Sequence, residues 1–308
     1  MNQDQQIINP LLNPTFTDRS LAQVCARSPV VKRIINRYGP ASLVDYLRQV
    51  LIICEKPLQP RNDLLEAVYR YAGSLLGETV AEQVAHELQT LPAVLTANHH
   101  GVDFLAQTMQ GSLFFSLREV GGKPAKTVPV FACGNIALNN PTYPRGLLLY
   151  DANRQAAEFK LPIRLPIFLD RDKRKSVSIV AAFDLKMIAK ARQRLATWVQ
   201  SKQLNPNLAA AATKVLNEDY QDSFVMGLKD YSQQAVVLNN RIWKRCFKDP
   251  EQTPELVYLE LEKITTLLLH KDLNKEDSLV WQMMLNPKLR KEVLNQLDGA
   301  RACWDRSK

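Results

Sequence analysis

The sequence predicts an α/β protein in which a small, mixed and partly parallel central sheet of about five strands spans residues 91–183, flanked by N- and C-terminal helices. Two patterns support this class. Apolar residues repeat at helical spacing before residue 91 and after residue 184, whereas short β-like runs bounded by turn residues lie between them. With 308 residues and an apolar fraction of 46%, the chain can bury a sizeable core.

The part of the chain before the sheet divides into an arm and a helical segment. Residues 1–19 are polar and interrupted by Pro10 and Pro14, which predicts an N-terminal arm. Residues 20–90 are predicted to form helices that pack on the core. Two apolar stripes there repeat at helical spacing: Leu43, Tyr46, Leu47, Val50 and Leu51, and then Leu64, Leu65, Val68, Tyr69 and Ala72.

Residues 91–202 are predicted to form the α/β core that carries the candidate site. An apolar segment from Phe104 to Leu117 lies between the first two β-like runs and stops before Gly121, so we expect a strand–helix–strand unit with parallel strands. The last two runs flank residues 171–175 and predict a hairpin with a basic tip. The runs are Ala93–Ala97, Val128–Cys133, Leu147–Tyr150, Leu165–Leu169 and Val177–Phe183.

Helical patterns return in the C-terminal region, residues 203–308. Thr253 can cap a helix that has Pro254 at its first position, and Asn286 with Pro287 begins another. These helices could also form an interaction surface, and the sequence leaves the oligomeric state open. The buried face of the first helix would consist of Val257, Leu261, Ile264 and Leu268.

Cysteine usage and hydropathy indicate a cytoplasmic protein. No apolar run reaches the roughly 18 residues that a transmembrane helix needs, and the N-terminus lacks the features of a secretory signal. An odd number of cysteines without a C-x-x-C pair disfavours a disulfide framework or a structural zinc site and favours a reducing cytosol. They are Cys25, Cys54, Cys133, Cys246 and Cys303.

The net charge of +9 is concentrated in one region. Residues 143–202 contain 13 Lys and Arg against 5 Asp and Glu, a difference of +8. Such a region can bind an anionic partner, either nucleic acid or an acidic lipid surface, or it can be an ordinary solvated face. Few aromatic residues lie among the basic ones, so stacking on single-stranded nucleic acid is not predicted.

Two of the four histidines, His99 and His100, directly follow the first predicted strand. Ligands of open α/β sheets bind at the carboxyl ends of strands, and an imidazole exchanges protons near neutral pH. Asp103 would orient one imidazole or share a metal ion with it. The sequence therefore predicts a catalytic site of His99, His100 and Asp103, which in a metal-assisted version would hold a divalent metal.

Backbone geometry leaves the arrangement of these residues open. Adjacent side chains on a strand point to opposite faces, whereas on a helix His99 and Asp103 would share a face. Only a loop, which Gly101 permits, would let both histidines converge. In the alternative interpretation, Asn98 or Asp103 caps the following helix and the histidines are ordinary polar loop residues.

Cys133, at the end of the second predicted strand, is the candidate nucleophile. If the two strands are parallel neighbours, Cys133 and Asn135 open towards the histidines, and a nearby imidazole raises the thiolate fraction. The alternative is a cysteine packed inside the protein, which is the commoner situation.

Amide and guanidinium side chains near the strand ends are candidates for substrate binding. Arg145 lies in a loop stiffened by two prolines and can grip a phosphate or carboxylate through two contacts. That loop can equally be a turn-rich connection with no binding role. The full set of candidates is Asn98, Asn135, Asn139, Asn140, Arg145 and Arg171.

The sequence lacks several familiar motifs: G-x-G-x-x-G after a strand, G-x-x-x-x-G-K-[ST], H-E-x-x-H and G-x-S-x-G. The stretch from Asn98 to Asp103 is faintly similar to the N-H-x-x-x-x-D motif of glycerolipid acyltransferases. However, one residue fewer separates His99 from Asp103, and no F-P-E-G block follows. We therefore do not assign the chain to that family.

Together these features predict a cytosolic enzyme, a hydrolase or group transferase that acts on a small anionic substrate at an acyl or phosphoryl group. His99 or His100 would act as general base or acid, and Asp103 would orient it. Cys133 or a metal-bound water would attack the substrate. The alternative is a non-catalytic protein that binds nucleic acid or an acidic lipid surface through residues 143–202.

Overall fold

The computed structural model describes residues 16–51, 59–97, 99–150 and 162–300, with side chains from residue 21 onward. Within these ranges no helix is long and apolar enough to cross a lipid bilayer. The α-helices are α1 Phe16–Arg27, α2 Pro29–Tyr38, α3 Leu43–Val50, α4 Asn62–Leu76, α5 Glu78–Thr90, α6 Ala106–Ser116, α7 Leu185–Gln200, α8 Pro206–Glu218, α9 Ser223–Gly227, α10 Tyr231–Arg245, α11 Leu261–Leu273, α12 Leu279–Leu285 and α13 Pro287–Leu297.

Short polar side chains start several of these helices. Ser28, Ser42, Asp184 and Asp230 precede α2, α3, α7 and α10, and each accepts a hydrogen bond from a backbone N–H in the first turn. Such caps satisfy donors that have no partner inside the helix. Asn286 caps α13 in the same way, with Pro287 at the first helical position, as the sequence predicts.

The central sheet has three parallel strands: β1 Leu95–Ala97, β4 Thr127–Ala132 and β7 Glu255–Glu260, in the order β1-β4-β7. Helix α6 lies between β1 and β4 in the chain, so the predicted strand–helix–strand unit with parallel strands is confirmed. The middle strand, β4, is almost entirely buried, as a strand that is covered on both faces must be.

The prediction of a five-stranded central sheet over residues 91–183 is not confirmed. The third and fourth predicted runs pair with each other as β5 Gly146–Leu149 and β6 Ile163–Pro166, antiparallel and outside the central sheet. The fifth run contains a 3-10 turn at Val177–Ile179, so the predicted hairpin with a basic tip does not form. Another two-stranded ribbon pairs β2 Glu119–Val120 with β3 Lys123–Pro124.

The prediction of a helix that Thr253 caps and that has Pro254 at its first position is wrong. Residues 255–260 form β7 rather than the first turns of a helix, and α11 begins only at Leu261. Val257 is fully buried and lies opposite Pro129 in the parallel pair with β4. The sheet therefore obtains its third strand from the region that the sequence assigns to C-terminal helices.

Helix α10 runs antiparallel to β7 and fixes one wall of the strand-end region. Near its start, the Ser232 hydroxyl donates to the Glu260 carboxylate at the end of β7. Near its end, Trp243 Nε1 donates to the carbonyl oxygen of Pro254, 2.8 Å away, just before β7 begins. Because α10 is anchored at both ends, the intervening Asn239 lies beside the chain that leaves β1.

Candidate functional site

The carboxyl ends of the three parallel strands meet at one edge of the sheet. Ala97 and Ala132 lie opposite each other, and the Cys133 N–H donates to the Ala97 carbonyl oxygen at 3.0 Å. Glu260, the last residue of β7, lies opposite Ala132. His99, Cys133 and Glu260 therefore leave the sheet at the same edge, where ligands of parallel sheets bind.

His99 and Asp103 form a short, buried contact at this edge. The Nε2 atom of His99 is 2.6 Å from Oδ2 of Asp103, and their side chains are only 8% and 2% exposed. The Tyr258 hydroxyl donates to the same carboxylate oxygen at 2.9 Å, and the Leu105 N–H donates to the other at 3.2 Å. The carboxylate is therefore held in one orientation and fixes the imidazole in turn.

The turn between His99 and Asp103 depends on Gly101. Its φ is +129°, and a Cβ atom added there would lie 2.5 Å from the Cβ atom of Pro144. Asn239 clamps the turn, since its Nδ2 donates to the Gly101 carbonyl and its Oδ1 accepts from the Asp103 N–H, both at 2.9 Å. A glycine-dependent loop, and not a helix, therefore brings the imidazole and the carboxylate together.

His100 points away from this pair, so the two imidazoles do not converge on one point. Its Nε2 lies 3.0 Å from the carbonyl oxygen of Ser232, and its ring stacks on Tyr258 with 6.0 Å between the centroids. His100 is fully buried, and burial lowers its pKa to about 4. Its imidazole is therefore neutral near pH 7.

Glu260 is a buried carboxyl that no motif or spacing in the sequence indicates. It is 0% exposed and accepts the hydrogen bond of the Ser232 hydroxyl. Burial raises the pKa of Glu260 to about 7. Gly134 leaves space for it, because a Cβ atom there would lie 2.8 Å from Glu260 Oε1. The site therefore contains a carboxyl that titrates near neutral pH.

The thiol of Cys133 lies against a carboxylate. Its Sγ is 3.4 Å from Oε1 of Glu262, and the same carboxylate accepts the backbone N–H groups of Gly134 and Asn135 at 2.8 and 2.7 Å. Burial raises the pKa of the Cys133 thiol, and the neighbouring Glu262 carboxylate raises it further. These surroundings disfavour the thiolate that a cysteine nucleophile needs.

The residues that the structure describes include no group of three His, Cys, Asp or Glu side chains that could hold a metal ion. The predicted metal ligands His99, His100 and Asp103 do not converge. His99 Nε2 faces Asp103, whereas His100 Nε2 faces the carbonyl oxygen of Ser232.

The candidate amides mostly organise loops. Asn98 lies outside the described residues. Asn140 Oδ1 accepts the Thr142 N–H at 3.0 Å within a turn, and Asn135 Oδ1 accepts the Ser176 hydroxyl at 3.1 Å. Asn139 is exposed.

The two candidate arginines have different surroundings. Arg171 is 78% exposed and lies 3.8 Å from Asp172, so it belongs to the solvated surface. Arg145 is only 19% exposed and pairs with the 77% exposed Asp170 at 2.5 Å. Of the two, Arg145 is the one held in a fixed environment.

Arg145 belongs to a cluster of three arginines around Tyr143. The guanidinium carbons of Arg145 and Arg164 each lie 5.4 Å from the centroid of the Tyr143 ring. Arg194 donates to the carbonyl oxygen of Pro166 at 3.0 Å and acts electrostatically on the same tyrosine. Tyr143 is buried and has a φ of +63°, a conformation that costs an aromatic residue about 1–3 kcal/mol.

The arginine cluster and the His99–Asp103 pair are joined through Pro144. The Pro144 side chain packs on Gly101, in the turn between His99 and Asp103. The Tyr231 hydroxyl donates to the Pro144 carbonyl oxygen and accepts the Val102 N–H at 3.0 Å. The loop that carries Arg145 is therefore fixed directly against the turn of the candidate pair.

A mostly apolar cavity of about 520 Å³ is lined by residues that follow these two features in the chain. Phe104, the residue after Asp103, lines it, and so do Leu147, Leu148 and Leu149 of β5, directly after the arginine loop. Residues of α8 and of the end of α10 line it as well. The volume of the cavity is within the range of small-molecule sites, about 300–1,000 Å³. Further lining residues are Ala106, Met109, Tyr150, Leu208, Ala211, Ala212, Val215, Ile242, Cys246 and the charged Arg245.

The basic region, residues 143–202, contains several ion pairs and hydrogen bonds within the chain. Lys175 Nζ lies 2.7 Å from Asp172, and Arg192 donates to Asn217 Oδ1 at 2.8 Å.

Comparisons of the chain with protein-family models, with curated proteins and with solved structures find no match.

Proposed function

We propose that this protein is a hydrolase or group transferase that moves the acyl group of an anionic substrate, with His99 as general base. The observation that carries the proposal is the contact of 2.6 Å between His99 Nε2 and Asp103 Oδ2. It lies at the carboxyl end of a parallel strand, and the next residue, Phe104, already lines the apolar cavity. The carboxylate that would orient the base is therefore one residue away in the chain from the lining of the proposed substrate space.

The chemistry follows from the tautomer. If Nε2 carries the hydrogen that faces Asp103, the lone pair lies on Nδ1 of His99. The His99 imidazole takes the proton of an attacking water or hydroxyl as the oxygen of that nucleophile bonds to the acyl carbon. The intermediate then collapses, the bond to the leaving group breaks, and His99 returns the proton to that group. Such acid–base catalysis contributes about 10²–10⁴-fold in rate.

The cavity favours an acyl over a phosphoryl substrate. Its walls are mostly leucine, phenylalanine, methionine and other apolar side chains, which suit a hydrocarbon chain, and Arg245 is a charged exception among them. The anionic part of the substrate, a carboxylate or phosphate, would bind the cluster of Arg145, Arg164 and Arg194, because guanidinium groups match these anions in geometry and charge.

We place the activity in the cytoplasm, on the basis of the odd, scattered cysteines. Neither a metal ion nor a cysteine nucleophile is part of the proposal. Cys133 lies against Glu262, and the predicted metal ligands face different partners.

The test is turnover of two substrate series with graded chain length, acyl-coenzyme A thioesters and p-nitrophenyl acyl esters. We expect His99→Asn to reduce kcat/KM by about 10²–10⁴-fold. The matched control is His86→Asn, an exposed histidine on α5, and it should retain wild-type turnover. Turnover that survives His99→Asn, or no turnover of any member of either series by the wild type, would overturn the proposal.

The alternative, binding of nucleic acid through the basic region, is favoured by one observation. Arg171, Lys173, Arg174 and Lys175 are all exposed within five consecutive positions. Binding to DNA or RNA would weaken steeply with salt, with a slope of about one per phosphate contacted. Affinity that is independent of salt would exclude this alternative.

A further inference from the structure

Helices α1 and α2 expose apolar side chains to solvent. Val30 and Ile34 of α2 are 54% and 44% exposed, and Leu21 and Val24 of α1 are 42% and 46% exposed. Helix α2 has no buried residue. Exposed apolar residues are common singly, but here they are grouped on two adjacent helices, which indicates a surface that binds something.

The charges on α2 lie beside its apolar face. Val30 and Ile34 are one turn apart and share a face, and Arg33 and Arg37, also one turn apart, border it. Val31 and Ile35 lie on the same apolar side but are half-buried. The helix is therefore amphipathic, with cations at the rim of an exposed apolar strip.

The two helices together are strongly basic. Residues 16–38 contain five basic residues and one acidic residue, Asp18, a net charge of +4. An apolar strip with basic residues at its rim is the pattern of a helix that lies in the interface of an anionic membrane. A second copy of the chain would set two positive faces against each other, and nucleic acid would leave the apolar side chains in water.

Aromatic contacts connect these helices to the candidate site. The Tyr38 ring of α2 lies 4.9 Å from that of Tyr46 in α3, and Tyr46 lies 5.2 Å from Phe114 in α6. Helix α6 also carries Met109, which lines the apolar cavity. If the proposed acyl function holds, the docked helices join the membrane to the helix that forms the cavity wall.

We propose that α1 and α2 dock this protein on the surface of an anionic phospholipid membrane. The exposed apolar side chains enter the interface, and Arg33 and Arg37 contact the headgroups. This proposal does not depend on the acyl function, because it rests on the exposed side chains of residues 21–38 and the net charge of residues 16–38 alone.

Co-sedimentation of the full chain with lipid vesicles tests the proposal. We expect binding to vesicles of phosphatidylcholine with phosphatidylglycerol, and little binding to phosphatidylcholine alone. Val30→Ser with Ile34→Ser, and separately Arg33→Gln with Arg37→Gln, should each weaken the partition coefficient at least about tenfold. High salt should weaken wild-type binding as well.

Matched controls distinguish binding through α1 and α2 from non-specific adsorption to the vesicles. Ile179 and Leu185 are 77% and 55% exposed elsewhere on the surface, and their double change to Ser should leave vesicle binding unaltered. The same holds for changing the exposed Lys214 and Lys248, which lie on other parts of the surface, to Gln. Wild-type protein that ignores anionic vesicles, or an α2 double variant that binds them like the wild type, overturns the proposal. The proposal is also overturned if light scattering shows that an α2 double variant changes from a dimer to a monomer while its vesicle binding stays unchanged.

Discussion

Replacing Glu260 with glutamine keeps the shape of this buried side chain and removes its ability to lose a proton. In the folded protein, burial raises the pKa of Glu260 to about 7, whereas the ordinary value is 4.5. Lys263 favours the charged form, and Glu262 and Asp230 disfavour it. The Ser232 hydroxyl from α10 donates to the carboxyl and favours the charged form as well.

The magnitude follows from the two pKa values. Between pH 4.5 and about 7, the folded state keeps the Glu260 proton and the unfolded state has lost it. The stabilisation from this group is therefore complete below pH 4.5 and is lost as the pH rises to about 7. At about 1.4 kcal/mol per pH unit, the loss is about 3 kcal/mol. As the pH rises across that interval, the free energy of unfolding of Glu260→Gln should thus increase by about 3 kcal/mol relative to that of the wild type.

The free energy of unfolding of both proteins, measured by urea titration at a series of pH values, tests this reasoning. The difference between variant and wild type is the informative quantity, because His100 gives an opposite slope. Its pKa is lowered to about 4, so its contribution to stability rises between that pH and 6.5. Glu251→Gln, at an exposed position, is the control and should give a flat difference. A flat difference for Glu260→Gln as well would refute the raised pKa.

Three further changes test the geometry of the site. Tyr258→Phe removes a donor to the Asp103 carboxylate and should cost about 1.5–3 kcal/mol in urea unfolding, and an unchanged free energy would contradict the contact. Gly101→Ala places a methyl group in a tightly packed turn with positive φ and should cost at least about 1–3 kcal/mol, so a neutral effect would argue against the turn. Ala211→Trp should obstruct the cavity and raise KM for long acyl chains more than for short ones. Ala210→Trp, exposed on the same helix, should not alter the chain-length profile, and equal profiles for both variants would reject the cavity as the acyl site.

The parallel pair β1–β4 could be predicted because its signals are local. Each strand is a short apolar run, and the intervening helix stops near two glycines, both with positive φ. Strand β7 could not be predicted, because Glu260 passes directly from the strand into α11 with no turn residue between them. Thr253 and Pro254 also imitate a helix start, and Val257, Leu261 and Ile264 happen to share helical spacing.

His99 and Asp103 could be predicted as a pair because both directly follow a predicted strand, but the loop that joins them and their surroundings could not be predicted. Tyr258 and Asn239, which hold Asp103, lie 155 and 136 residues away in the chain. Contacts at such separations follow from the packing of α10 and β7, and no spacing pattern in the sequence predicts them. The hydrogen-bond partner of His100 cannot be predicted for the same reason, because that partner is a backbone carbonyl of α10.

The most direct test of the account is whether His99 and Asp103 act as one catalytic unit. Acyl-thioester turnover would be measured for His99→Asn, Asp103→Asn and the double variant, each with folding verified by circular dichroism. If Asp103 acts only through His99, the double variant should be no slower than His99→Asn alone, because groups that form a unit are not additive. Losses that multiply in the double variant, or a single variant with wild-type turnover, would show that His99 and Asp103 do not act as one catalytic unit.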